Sequence, residues 1–326
     1  MVSVLLVGLG ITTLSALESL LSRCSVKAIV RNVEIGSDAD DPVVNLANKA
    51  GIPIFSDISQ QNIKSLLLKF NPDCVVVSSY NQILPPELTA LSTFINVHYS
   101  PLPHYRGRAN VNWAIINDES CVAITIHQIV PELDAGNILF QQLIPLQSND
   151  NVADLYERLN EIQRQHLAEI VIKVCHGYKG VPQNSDEATY CCTRLPEDGE
   201  IDWSASTRSI DCLIRALVSP FPGAYTYFQG RKLLVWSAKP VNNPPVYAGR
   251  IPGRIIGRSK TEGYVDVLTG DGMMRLFQVQ FEGEEKTVAA NTIKSVKSTL
   301  GLRISDLLNR IQILEQENLR LKANAK

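Results

Sequence analysis

Four short runs rich in Val, Ile and Leu dominate the first quarter of the chain: VSVLLV at residues 2–7, VKAIV at 26–30, IPIF at 52–55 and CVVVS at 74–78. Stretches with helical spacing lie between them. After the first run, Leu14, Leu17, Leu20 and Leu21 recur at helical intervals. Residues 47–50, followed by Gly51, close a second helix, and residues 63–70 read as a third. Fully apolar strands need cover on both faces, so this β-α alternation predicts a doubly wound, mostly parallel α/β sheet. Ligands of such sheets lie beyond the carboxyl ends of the strands. Residues 80–85 and 96–108 both follow strands, and both fall where a site would form.

The first turn, Gly8-Leu9-Gly10, is a poor phosphate loop. Thr13 stands where the third glycine of G-x-G-x-x-G belongs, and Arg31 and Asn32, not an acid, close the next strand. Both departures argue against a dinucleotide.

Further along, residues 121–130 alternate as a strand, residues 131–136 turn, and residues 138–143 form the next strand. Asn149 or Asp150 caps a long helix with Val152, Leu155, Leu159, Ile162, Leu167, Ile170, Val171 and Val174 on its apolar stripe. Residues 177–180 stop it. A first, α/β domain over residues 1–180 and a polar linker over 181–200 are expected. Residues 201–302 hold a helix (Ile210, Leu213, Ile214, Leu217) and then short β runs between turn glycines. That pattern suits a small β-barrel or sandwich of the OB-like kind. Residues 303–326 form a last helix, in which Ile304, Leu307, Ile311, Leu314, Asn318 and Leu321 alternate at spacings of three and four. This is an a/d heptad seam, consistent with a parallel coiled-coil homodimer or with a helix lying on its own domain.

A net charge of −2 over 326 residues argues against a protein that grips nucleic acid chiefly through phosphates. The seven cysteines show no C-x-x-C pair, so neither a metal site nor a disulfide framework is expected. Reduced thiols in a cytoplasmic protein fit best. The N-terminus lacks a basic region and a cleavage site, and no run approaches membrane-span length.

Asn96 and His98 stand two apart at a strand end, so they point the same way. Asp134 sits in the turn after a neighbouring strand. An amide donor for an oxyanion, a proton shuttle and a carboxylate to orient it are the parts needed when an amine attacks a carbonyl carbon. On spacing alone, a hydrogen-bonded loop histidine and an ordinary turn aspartate are the more frequent reading.

The segments Asn96-Val97-His98, Ser100 to Pro103, Tyr105-Arg106-Gly107 and Leu133-Asp134-Ala135-Gly136 resemble the signature of the N10-formyltetrahydrofolate-dependent formyltransferases. The resemblance covers most of residues 1–302. It implies a Rossmann-like catalytic domain with Asn96, His98 and Asp134 as catalytic residues. YNQILP at residues 80–85 resembles the family's pterin-holding loop. By the resemblance Gln82, Ile83, Leu84, Pro131, Glu132 and Leu133 would hold N10-formyltetrahydrofolate. The chain departs from the family at Tyr99, where Gly or Pro is usual, at Pro101, where Leu is usual, and at Asn110, a common Pro. These bear on the acceptor side.

YRGRANVNW and SPFPGAYTY are similar to the members that formylate nucleotide-linked amino sugars. The expected acceptor is therefore a dTDP- or UDP-linked 3- or 4-amino sugar, with Ser100, Tyr105, Arg106 and Arg108 on the acceptor side. Methionyl-tRNA members are the alternative. They carry a basic insertion after the second strand, whereas this chain has the acidic NVEIGSDADDP there. A non-catalytic coiled-coil scaffold is the remaining alternative. Neither nucleic acid nor membrane is an expected partner, and no metal is expected.

Overall fold

In the computed structural model, residues 1–32, 41–302 and 304–324 are described. The acidic residues Glu34, Asp38 and Asp40 lie outside them. The chain divides into two compact units. The first comprises Met1–Ala114, Glu119–Asp150 and Asp154–Arg194, and the second Ile115–Asp118, Asn151–Ala153 and Leu195–Lys326.

In the first unit, β1 (Ser3–Gly8), α1 (Thr13–Arg23), β2 (Ser25–Val30), α2 (Pro42–Lys49), β3 (Ile54–Phe55), α3 (Gln60–Phe70) and β4 (Cys74–Ser78) alternate as expected. A short α4 (Pro86–Thr89) leads to β5 (Thr93–His98). Then come β6 (Arg106–Gly107), α5 (Asn110–Ile116), β7 (Cys121–Gln128), β8 (Ile138–Pro145), α6 (Val152–Cys175) and β9 (Tyr190–Cys191). Seven strands form one sheet in the order β3-β2-β1-β4-β5-β7-β8. Those from β3 to β5 run parallel, and β7 and β8 run antiparallel.

The apolar runs become the buried centre of this sheet. All of β4 is buried, and Leu5, Val7, Val75 and Val77 pack with Ile63, Leu66 and Leu67 of α3. Helix starts are set by local chemistry. The Asp41 carboxylate accepts from Val43 and Val44 N–H to cap α2, while Ser59 caps α3. Strands β1 and β4 are neighbours, but the chain leaves β1 toward β2 and leaves β4 toward β5. That reversal opens a crevice at their carboxyl ends.

The polar stretch read as a linker is part of the first unit as far as Arg194. Val181 exchanges backbone hydrogen bonds with Ile138, and β9 pairs in parallel with β6. The pairing that ties it to the first unit is made by main chain, which polarity and lack of periodicity conceal.

The second unit contains α7 (Thr207–Ala216) and an antiparallel sheet of β10 (Ala224–Phe228), β11 (Arg231–Pro240), β12 (Ile255–Ser259), β13 (Tyr264–Leu268), β14 (Met273–Phe281) and β15 (Thr287–Val288). The pairing order is β10-β11-β14-β13-β12, with β15 on β14. The short α8 (Ala289–Thr292) and the long α9 (Ile304–Asn324) follow. Among the described residues, no helix is long and apolar enough to cross a membrane.

Candidate active site

Strand β5 ends on Asn96-Val97-His98, and antiparallel β7 sets His127 opposite Asn96 and Thr125 opposite His98. Asn96 Nδ2 and His127 Nε2 are 3.1 Å apart. His127 Nδ1 is 2.8 Å from the Gln128 carbonyl oxygen, which only accepts. The ring proton is therefore on Nδ1, and Nε2 accepts from the Asn96 amide. His127 is 1% exposed; burial, outweighing the pull of Asp134, pushes its pKa down to about 4. The neutral ring fixes which way the Asn96 amide faces and leaves that amide a second N–H.

His98 Nε2 lies 3.1 Å from the Tyr105 carbonyl oxygen, so this nitrogen also carries a proton. Its Nδ1 faces Asp134 Oδ2 at 3.8 Å. Asp134 comes from the turn between β7 and β8, with φ +49°. Its Oδ2 accepts the Gly107 N–H at 2.9 Å, and its Oδ1 is 3.6 Å from His127 Nε2. Burial works against ionisation of this carboxyl. The adjacent His98 ring leads the groups that favour the carboxylate, and with the Gly107 N–H and the Arg106 guanidinium it holds the pKa below the usual carboxylate value.

The turn that carries Asp134 is tied down from behind. Gln183 Nε2 donates to the carbonyls of Asp134 and Gly136 at 2.7 and 2.8 Å. Gln183 Oε1 accepts from Arg106 Nη2 at 2.8 Å. Gly136 has no room for a side chain, because a Cβ there would overlap the Gln128 carbonyl.

Asn96, His98, His127 and Asp134 line one cleft of about 410 Å³, within the usual range for small-molecule sites. Thr12 before α1, the loop after β4, residues 107–110, residues 129–134 and Tyr156 of α6 complete its wall. Gln82, Ile83, Leu84, Pro131, Glu132 and Leu133 all line it. Leu84 is buried among core residues and anchors its loop, whereas Ile83 is 75% and Leu133 50% exposed.

Of the four residues expected on the acceptor side, Arg108 alone lines the cleft, where its guanidinium donates to the Asn81 carbonyl. Ser100 is buried and donates to the His104 carbonyl. Tyr105 offers its main-chain carbonyl to His98 and its hydroxyl to Glu119. Arg106 is 3% exposed and held by Gln183 and the Tyr190 hydroxyl. A guanidinium committed in this way is not presented to a diphosphate. Arg106 belongs to the support of the Asp134 turn, a correction to its reading as an acceptor contact.

The departures at Tyr99 and Asn110 have local explanations. The Tyr99 hydroxyl sits 2.7 Å from Asn160 Oδ1 and 2.5 Å from Gln163 Oε1, joining the end of β5 to α6. Asn110 donates to the same Tyr105 carbonyl that accepts from His98. His127 and Gln183 were not singled out in the sequence. The signal for His127 was a histidine closing an otherwise apolar strand; Gln183 stood in a segment taken for a linker.

Comparison with known proteins gives two family matches. Residues 12–171 match the formyl transferase model, and residues 195–297 match that of the formyl transferase C-terminal domain. The methionyl-tRNA formyltransferase of Caldanaerobacter subterraneus subsp. tengcongensis is 35% identical over 252 residues, 75% of this chain and 79% of that protein. Among solved structures, HypX from Aquifex aeolicus in complex with tetrahydrofolic acid is similar with a TM-score of 0.63 at 18% identity. The match covers 89% of this chain but only 47% of HypX, so the chain spans about half the length of that protein. The N-formyltransferase of Helicobacter canadensis, in complex with folinic acid and dTDP-3-aminofucose, is similar with a TM-score of 0.63 at 18% identity, covering 88% of this chain and 100% of that one.

Proposed function

This chain belongs to the formyltransferase family, and we propose that it transfers the formyl group of N10-formyltetrahydrofolate to the amine of a nucleotide-linked amino sugar. The observation that carries the chemistry is a single cleft wall bearing the Asn96 amide with a spare N–H, His98 and the ionised Asp134.

The folate fits the residues present. Ile83 and Leu133 expose apolar side chains on the same cleft, an arrangement suited to a flat heteroaromatic ring, and Gln82, Leu84, Pro131 and Glu132 complete its surroundings. When bound, it supplies the formyl carbon: a bond to the acceptor nitrogen forms, the bond to N10 breaks, and the amine proton ends on N10. Asn96 offers its second N–H to the oxygen that gains charge. His98 has its Nε2 proton committed to Tyr105, so the proton it takes up sits on Nδ1, beside Asp134. Asp134 stabilises that imidazolium and keeps the ring oriented.

Two observations favour a nucleotide sugar over a tRNA. The region after β2 is acidic in sequence. Arg31, at the start of that region, is engaged by Asp41 at 2.8 Å and donates to the Gly8 carbonyl, so it is not presented to a phosphate backbone. The dTDP-3-aminofucose bound to the Helicobacter protein supports the same choice. The second reading, methionyl-tRNA as acceptor, is favoured by the Caldanaerobacter relative.

The test is a formyl-transfer assay with N10-formyltetrahydrofolate against dTDP- and UDP-linked 3- and 4-amino sugars and against methionyl-tRNA. Turnover is expected with one of the sugars. Turnover confined to methionyl-tRNA would replace the first reading by the second. Asn96→Ala and His98→Ala should each lower the rate about a hundredfold or more; near-wild-type rates would remove these residues from the mechanism.

A further inference from the structure

Helix α9 carries a face that its own chain leaves uncovered. Every side chain described in it is exposed, and the apolar residues Ile304, Leu307, Ile311, Leu314 and Leu321 are between 46% and 78% exposed. An ordinary surface helix buries such a stripe. Here five apolar side chains and Asn318 follow strict a/d spacing over 21 residues of continuous helix. We propose that α9 pairs with α9 of a second copy of this chain as a parallel, two-stranded coiled coil.

Three features select this occupant. The first is the identity of the seam residues. The a positions hold Ile304, Ile311 and Asn318, and the d positions Leu307, Leu314 and Leu321. A β-branched residue at a with Leu at d favours two strands over three or four. The second is Asn318. In a parallel, in-register pair it meets the same amide of the partner, and the two satisfy each other. In an antiparallel pair it faces an apolar d residue and is left unpaired, at a cost. The third is charge. In the parallel register, Arg310 at g faces the partner's Glu315 at e, and Glu317 faces the partner's Lys322. Both contacts attract, and symmetry makes each occur twice.

Three heptads form a short coil, because a single helix of this length is marginal in water and gains its order from pairing. A reversible dimer is therefore expected. This inference does not depend on the chemistry of the cleft, since α9 contributes nothing to the cleft wall.

The experiment is sedimentation velocity and light scattering on the full chain over a dilution series, with formyl transfer measured alongside. Wild type should have the mass of a dimer that dissociates on dilution. Leu314→Asp should be monomeric with unchanged activity per chain. Glu317→Lys, which turns two attractive contacts into repulsive ones, should weaken dimerisation about tenfold. Adding Lys322→Glu should restore it. In an antiparallel pair Glu317 lies opposite Arg310 instead, and the second change would rescue nothing. A monomeric wild type at every concentration, a dimer indifferent to Leu314→Asp, or a failure of the charge swap to rescue would each overturn the proposal.

Discussion

Asn96 holds its orientation only while His127 has a lone pair to offer. Protonation of His127 replaces that acceptor with a second N–H and turns the amide away. The folded protein resists this, because burial carries the His127 pKa from 6.5 down to about 4. Between those values the unfolded chain takes up a proton that the folded chain refuses. The stability tied to neutral His127 is therefore complete above the unfolded value and falls as the pH drops toward the folded one. Asp134 adds in the same direction only in stronger acid, because a carboxylate held below its ordinary value of 3.8 keeps its contribution until the pH falls past that value, so the change between about pH 7 and about pH 5 rests on His127. The melting temperature of the wild type should consequently drop on acidification from about pH 7 to about pH 5, and His127→Gln should show a shallower drop. Equal slopes in a calorimetric pH series would mean that His127 is not the titrating group.

Asp134 depends on Gln183 in a different way. Gln183→Glu keeps the size and the partner for Arg106 but replaces two N–H donors with an acceptor facing two carbonyls. The Asp134 turn should shift, and small displacements at a reacting centre are expensive in rate. The expected outcome is a loss of about tenfold or more in kcat, with little change in folate affinity. Isothermal titration with folinic acid beside steady-state kinetics separates the two. A loss of affinity with kcat intact would assign Gln183 to the ligand wall instead.

At the scale of elements, legibility follows how each one is stabilised. Strands β1, β2 and β4 were readable because burial on both faces demands nearly continuous apolar sequence, and α6 because its stripe has a helical period. The pairing of β6 with β9 was not readable, since two-residue strands are held by main chain with no side-chain period to reveal them. The same reason hid the end of the first unit and, with it, Gln183. Asn96, His98 and Asp134, which the fold brings into one cleft, could be picked out as a group because their chemistry is written in residue type. The commitment of Arg106 could not, because a buried and an exposed arginine look alike in sequence. Gly136 illustrates a constraint that is geometric: the turn passes so close to the Gln128 carbonyl that any side chain forces the two strands apart. Gly136→Ala should destabilise the first unit by about 1–3 kcal/mol and reduce formyl transfer further than stability alone accounts for. Chemical denaturation and an assay at full folded occupancy would check both; an unperturbed variant would show that the turn can yield at no cost.

At the scale of the whole molecule, overall charge bears on the choice of acceptor. A tRNA is held largely through its phosphates, so a chain that uses one needs an excess of basic surface and binds with a steep dependence on salt. This chain has 31 basic and 33 acidic residues, and its charges are widely spent on one another, as in the pairs Arg164–Glu18, Lys173–Glu169 and Arg275–Asp266. A nucleotide sugar asks for far less: a diphosphate can be met by one or two cations beside a cleft, and Arg108 stands on that wall. Initiator tRNA should therefore fail to shift in a gel even at low ionic strength, and transfer to the sugar should change little between about 50 and 200 mM salt. Arg108→Ala should raise KM for the nucleotide sugar about tenfold and leave kcat nearly unchanged, because a charge on a non-reacting part of the substrate binds ground state and transition state alike. A tight tRNA complex whose affinity collapses across that salt range would instead place the needed cations on surfaces away from this cleft.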